Sequence, residues 1–146
     1  MKQFLTLITL LVASVLASIA TAGDILVDHA WIRAMPPTSR VVPVYLTLHN
    51  QSDKPISLVA ITSDIGVIEL HQSIKENNMM RMEPVSRLTL SAGQTVKLAP
   101  GSYHGMLSHF AQGVPKEGSE VPITLIFESD NKISTVASVM KSNSSH

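Results

Sequence analysis

From residue 25 onward, apolar and polar positions alternate with a period of two, and turn-forming residues interrupt the alternation every several positions. Val44, Leu46 and Leu48 fall on one face of an extended segment, and Tyr45, Thr47 and His49 fall on the other. The same alternation predicts strands over 25–32, 44–49, 56–61, 66–71, 95–98, 121–127 and 133–139. Breakers separate them: Pro36-Pro37, residues 50–55, Glu76-Asn77-Asn78, Ala92-Gly93, Pro100-Gly101 and Asp130-Asn131. No segment sustains the 3.6-residue apolar spacing of a helix. Many short strands at this spacing predict an all-β domain, a sandwich or barrel.

The N-terminal stretch follows a different pattern. A short basic start, Met1-Lys2-Gln3, precedes an apolar run over 4–17, and Ala20-Thr21-Ala22 supplies a small-x-small cleavage pattern. Residues 1–22 are expected to be a secretory signal peptide, since the run is short for a membrane span of about 20 residues. Residues 23–140 are then expected to form one domain and 141–146 a flexible polar tail, with export to the bacterial periplasm.

Composition narrows the chemistry. The 146 residues hold 11 Lys plus Arg against 11 Asp plus Glu; losing the leader removes Lys2 and leaves 10 against 11, a charge of −1. That balance lacks the basic footprint of a nucleic-acid binder. Cysteine is absent, which excludes disulfides, thiolate zinc sites, iron–sulfur clusters, blue copper and cysteine nucleophiles. Seven methionines and six histidines remain.

Four of these stand in a suggestive order. His71 ends one predicted strand, Met82 lies in a second after the Glu76-Asn77-Asn78 turn, and His104 and Met106 lie in a third after Pro100-Gly101. His104 and Met106 are two apart and share a strand face; Met80 and Met82 do likewise, with Met79 pointing away. Two neutral imidazoles and two soft thioethers suit Cu(I) better than zinc, calcium or magnesium. A thioether cannot be lost to a disulfide outside the cytoplasm, although it can be oxidised to the sulfoxide.

The bland readings are also available. Methionine commonly fills gaps in cores, and a strand histidine is commonly solvated or hydrogen-bonded. His29, His49 and His109 read that way, His146 is terminal, and Met35 beside Pro36-Pro37 reads as a loop residue. Met79 and Met80, in or beside a turn, are spare ligands or merely exposed. Under a metal-free structural sandwich, Met82 and Met106 would be core residues, each costing about 2–5 kcal/mol on truncation to Ala. A hydrolase-like His2Glu site from Glu69, His71 and His104 would leave both spaced methionines unexplained. Pro100 to His104 is similar to a cupin half-motif, but its His-x-His half is missing.

The order His71-x10-Met82-x21-His104-x-Met106 resembles the periplasmic copper chaperone family of the PCuAC type. Around it, Ala30 to Ala34 with Pro36-Pro37, Tyr45 to Leu48 with Asn50, Glu69-Leu70-His71, Met80-Arg81-Met82 with Pro84, and Tyr103-His104 fall in the family's order. The resemblance covers residues 25–139. It implies a cupredoxin-like Greek-key β-sandwich, not an enzyme, holding one Cu(I) near its surface through His71, Met82, His104 and Met106. It also implies copper delivery toward the dinuclear copper centre of cytochrome c oxidase, with oxidase subunit II and Sco-type thiol proteins as partners. Copper storage or resistance would use the same ligands. Two departures stand out. Gln72 occupies the place where many members carry a methionine, and the tail holds only His146, so no tail-based Cu(II) site is expected.

A carrier of this kind would release its ion by ligand exchange with a thiolate-rich acceptor. The histidines would anchor, the methionines would leave first, and Pro100-Gly101 would hold the loop that presents His104. Because imidazole binds metal only when neutral, affinity is expected to fall in mild acid.

Overall fold

The computed structural model describes residues 23–141. The leader expected at 1–22 and the tail residues 142–146 lie outside that range.

Ten strands follow in order: β1 (Ile25–Arg33), β2 (Val41–Asn50), β3 (Ile56–Ser63), β4 (Gly66–Glu76), β5 (Met79–Pro84), β6 (Leu88–Leu90), β7 (Thr95–Leu98), β8 (Tyr103–Ser108), β9 (Glu120–Phe127) and β10 (Lys132–Met140). The alternation read from sequence recurs in the burial. Val42, Val44, Leu46 and Leu48 of β2 and Val121, Ile123, Leu125 and Phe127 of β9 are all buried, with their neighbours facing outward. These two strands supply much of one continuous hydrophobic core.

The strand ladder closes on itself. It runs β4–β8–β2–β1–β10–β9–β3 and returns from β3 to β4, giving a flattened barrel of cupredoxin-like type. All of these pairings are antiparallel except β1 with β10. β2 is long enough to serve two partners: Val41 to Val44 pair with β8, and Leu46 to His49 pair with β7. β5 adds to β4 and β6 adds to β3, each as an outer strand.

The structure departs from the sequence reading in two places. β6 has no counterpart in the predicted strands; only Leu88 and Leu90 point inward around exposed Thr89, too short an alternation to read alone. β4 also continues past His71 to Glu76, so His71 is a mid-strand residue and not the last of its strand. The extension exists because 71–76 pairs with β5 across a two-residue turn. Asn77 (φ 51°) and Asn78 (φ 62°) both take the left-handed conformation that such a hairpin requires and that asparagine tolerates.

Asn50 pins the loops at one end of the barrel. Its side chain is fully buried, and its amide nitrogen donates to the carbonyls of Lys54 (2.7 Å), Leu90 (3.2 Å) and Ser91 (3.1 Å). Its carbonyl oxygen accepts from the Ser52 amide at 3.0 Å and the Ser52 hydroxyl at 2.7 Å. An aspartate has the same shape but cannot donate, so three carbonyls would face a buried carboxylate. Asn50→Asp is expected to lower stability by about 3 kcal/mol in urea unfolding. A loss below about 1 kcal/mol would show that the loops relax around the change.

At the β1–β2 pairing, Trp31 and Tyr45 stand directly opposite, with ring centroids 4.8 Å apart. Burial raises the Tyr45 phenol above its usual range, against the opposing influence of the Arg33 guanidinium.

Candidate metal centre

The register places all four singled-out side chains on one face. Residues directly opposite in an antiparallel pair point to the same side of the sheet, as do residues two apart along a strand. His71 of β4 stands opposite His104 of β8, and Glu69 stands opposite Met106. On the other edge of β4, His71 stands opposite Pro84 and Ser73 opposite Met82. Met82 is therefore the diagonal neighbour of His71. His71, Met82, His104 and Met106 form one patch across β5, β4 and β8, although His71 and Met106 are 35 positions apart in sequence.

This patch lies on the outside of the barrel. Ile68 and Leu107, on the opposite faces of the same strands, belong to the core. Pro43 of β2 stands opposite Met106 and extends the patch with an apolar neighbour that the sequence reading did not single out. Register with a remote strand was the only signal for it.

Both imidazoles are held in the same way. His104 Nδ1 lies 3.0 Å from the Ser102 carbonyl, and His71 Nδ1 lies 3.3 Å from the Glu69 carbonyl, each two residues earlier on the chain. A carbonyl only accepts, so each Nδ1 carries the proton and each Nε2 carries the free lone pair. A backbone carbonyl on the far nitrogen is the usual way a metal-ligating imidazole is oriented.

His104 gives the sharper indication. It is 4% exposed, and its Nε2 is buried with no hydrogen-bond partner among the described residues. A buried acceptor without a partner costs free energy, so its retention points to an electrophile that the apo chain lacks. The carbonyl that orients His104 is fixed by its own turn. Ser102 N donates to Ala99 O at 3.0 Å, with Pro100 next and Gly101 at φ 81°, the arrangement of a type II turn. The Ser102 carbonyl also accepts from Ser73 N of β4 at 3.1 Å, which ties the turn to the strand that carries His71.

The thioethers differ in exposure. Met106 is half-buried, whereas Met82 is 58% exposed, so Met82 is not a core residue. Met79 and Met80 on β5 are 70% and 60% exposed. Met80 stands opposite Lys75 and shares the face of Met82; Met79, opposite Glu76, points to the other side. Met35 packs against the core. Of the other histidines, His29 contacts Asp28 at 3.1 Å, His49 hydrogen-bonds Thr95 and His109 hydrogen-bonds Ser108. Among the described residues, no three His, Asp or Glu side chains come together as a metal site. Glu69 is exposed on the patch face without completing a His2Glu set.

The fold and this face define a cupredoxin-like β-barrel domain with two imidazoles and two thioethers gathered on its outer surface. Residues 25–139 match the family described as "Putative lipoprotein LpqE-like", and the chain belongs to that family. No curated protein matches it in sequence. Among solved structures it is similar to Cu(I)-bound DR1885 from Deinococcus radiodurans, in solution, at 30% identity and a TM-score of 0.66, over 81% of this chain and 78% of that one. It is also similar to the apo PCuAC domain from PmoF1, at 26% identity and a TM-score of 0.66, over 80% and 93% of the two chains. The copper-bound PCuAC domain from PmoF2 shares the fold at 22% identity, with a TM-score of 0.67, over 82% and 95%. The PCuAC-type resemblance drawn from the spacing of four residues is thus also a similarity in three dimensions.

Proposed function

We propose that this protein is a copper chaperone that binds one Cu(I) through His71 Nε2, His104 Nε2 and the sulfurs of Met82 and Met106. The observation that carries the reading is the buried, unpartnered Nε2 of His104, facing the same side as a second oriented imidazole and two thioethers. The donor set fits the ion: soft sulfur and neutral nitrogen with no thiolate favour Cu(I). Two of the similar structures, DR1885 in solution and the PmoF2 domain, are copper-bound forms.

Residues 23–140 constitute the copper-carrying domain, exported by the leader at 1–22 to the periplasm. The family's description as a lipoprotein supports export, but this chain has no cysteine to carry a lipid. Among the described residues, no helix is long and apolar enough to cross a membrane. A carrier role needs only ligands within reach of one ion, and the patch supplies two imidazoles and two thioethers on one face.

Exposure sets the order of events in transfer. Met82 lies open on an edge strand, where an incoming thiolate meets the site first, and His104 forms its buried end. Cu(I) stays Cu(I), and each new Cu–S bond replaces one Cu–S or Cu–N bond. The acceptor is thiolate-rich, as Sco-type proteins and the subunit II copper centre of cytochrome c oxidase are. The open edge favours delivery over storage.

The test is anaerobic Cu(I) titration of the protein against a colorimetric Cu(I) chelator, beside a Met82→Ala/Met106→Ala double variant. One-to-one binding by the parent is expected, with at least about a 100-fold loss in the variant. Because Met82 is solvent-exposed, its truncation alone is expected to cost under about 0.5 kcal/mol of apo stability. Parent and variant competing equally would remove the thioethers from the site.

A further inference from the structure

β5 carries methionine at three of its six positions, and all three are exposed. The proposed copper site uses only Met82. Packing cannot account for the others, because β5 is the outermost strand beyond β4 and its methionines are exposed. Met79 and Met80 differ in one respect that matters here. Met80 shares the patch face with Met82, and Met79 does not.

Register also fixes the distance. Met80 stands opposite Lys75 and Met82 opposite Ser73, so Met80 lies one step further from His71 along the same face. Two residues of strand span about 7 Å. That separation puts Met80 out of reach of an ion held between His71 and His104. It leaves Met80 close to Met82, and two unbranched thioether side chains at i and i+2 on one face can converge on one ion. Lys75 stands across from Met80 and shares its face, so a cation there is held less favourably than at the imidazoles.

Resting on the copper reading above, we propose that Met80 and Met82 form an outer bis-thioether station through which Cu(I) enters and leaves the four-ligand site. In the outward step the Cu–N bonds to His71 and His104 and the Cu–S bond to Met106 break, one Cu–S bond to Met80 forms, and Met82 stays bound throughout. No electron moves, the ion remains +1, and both freed imidazoles stay neutral. The station is occupied in passage only, since it lacks the nitrogen donors and faces Lys75. An acceptor meets the ion at the rim of the barrel and need not reach the buried side of His104.

Stopped-flow transfer of Cu(I) from the loaded protein to excess bicinchoninate tests this, with Met80→Leu and Met79→Leu compared to the parent. Leucine keeps the exposed apolar surface and removes the sulfur. Met80→Leu is expected to keep one-to-one stoichiometry and an equilibrium affinity within twofold, while its transfer rate falls about tenfold. Met79→Leu is expected to match the parent in both. In methyl-13C-methionine spectra of the partly loaded parent, the Met80 methyl signal should broaden by exchange while Met79 stays sharp. A Met80→Leu rate equal to the parent's overturns the station. So does a large affinity loss in Met80→Leu, which would make Met80 a resident ligand. A parent that takes up no Cu(I) overturns the proposed function and the station together, an outcome distinct from a loaded parent indifferent to Met80.

Discussion

His104→Leu is expected to make the apo protein more stable and to cut its stabilisation by copper to about a third or less. The two effects have one cause. In the apo chain His104 Nε2 is buried without a partner, so the side chain bears a desolvation penalty that leucine does not. The hydrogen bond lost with the imidazole is that from Nδ1 to the Ser102 carbonyl, and this carbonyl keeps its second donor, Ser73 N at 3.1 Å. The net change in apo stability is therefore expected to be a gain of about 1 kcal/mol, or roughly 3–5 °C in Tm. Copper reverses the ranking. With free Cu(I) at about 1,000 times the parent Kd the parent gains about 4 kcal/mol by linkage, and the variant gains only about 1.4 kcal/mol once its affinity has fallen about 100-fold. Differential scanning fluorimetry with and without buffered Cu(I) reads both halves. An apo variant less stable than its parent by 2 kcal/mol or more would mean that Nε2 is satisfied in solution. An undiminished copper shift would remove His104 from the ligand set.

The second large effect is expected at a residue with no side chain. Gly105 lies between His104 and Met106, where β8 runs between Val44 of β2 and Leu70 of β4. A Cβ built there would lie 3.1 Å from both Val44 Cβ and Ile68 Cγ2, and 3.6 Å from the Val44 carbonyl oxygen. Both neighbours are buried in the core. Alanine would demand a shift of a few tenths of an ångström; valine adds two methyl groups with nowhere to go. Gly105→Val is expected to cost about 2 kcal/mol, the overpacking penalty less the gain in strand propensity. The strand relieves the overlap by moving outward, and His104 and Met106 move with it, away from His71. Copper affinity is expected to fall more than about tenfold, although no ligand is altered. Urea unfolding with Cu(I) competition on the same sample separates the two losses. A variant that loses stability but keeps full affinity would show that β8 moves as a rigid piece without disturbing the patch.

Exposure divides the molecule into a rigid and a yielding part. His104 and Met106 sit on a strand paired on both sides, while Met82 sits on an outer strand that, among the described residues, pairs with β4 alone. Under the proposed function, the anchor is thus built where the backbone is most constrained and the handover where it is least constrained. This is a useful division for a carrier that must hold an ion and then surrender it to a partner.

Much of this was legible in the sequence. The alternation along β2 and β9 gave the core residues, because period-two burial is a local property of an extended chain with one wet face. Asn77-Asn78 and Pro100-Gly101 marked turns, because their backbone preferences are written in the residues themselves. The type of donor, thioether and imidazole without thiolate, was set by composition alone. What sequence periodicity could not supply was partnership between strands. It gave His71 a face but placed the residue at the end of its strand, and it passed over Leu88–Leu90, whose three residues carry too little pattern. Nor could it say that the strands of His71 and His104 are neighbours, that Met82 lies open to solvent, or that one imidazole nitrogen is sealed away without a partner. Those facts depend on which strands close the barrel. That choice is made by the collective burial of side chains remote in sequence, so only the tertiary structure could decide it.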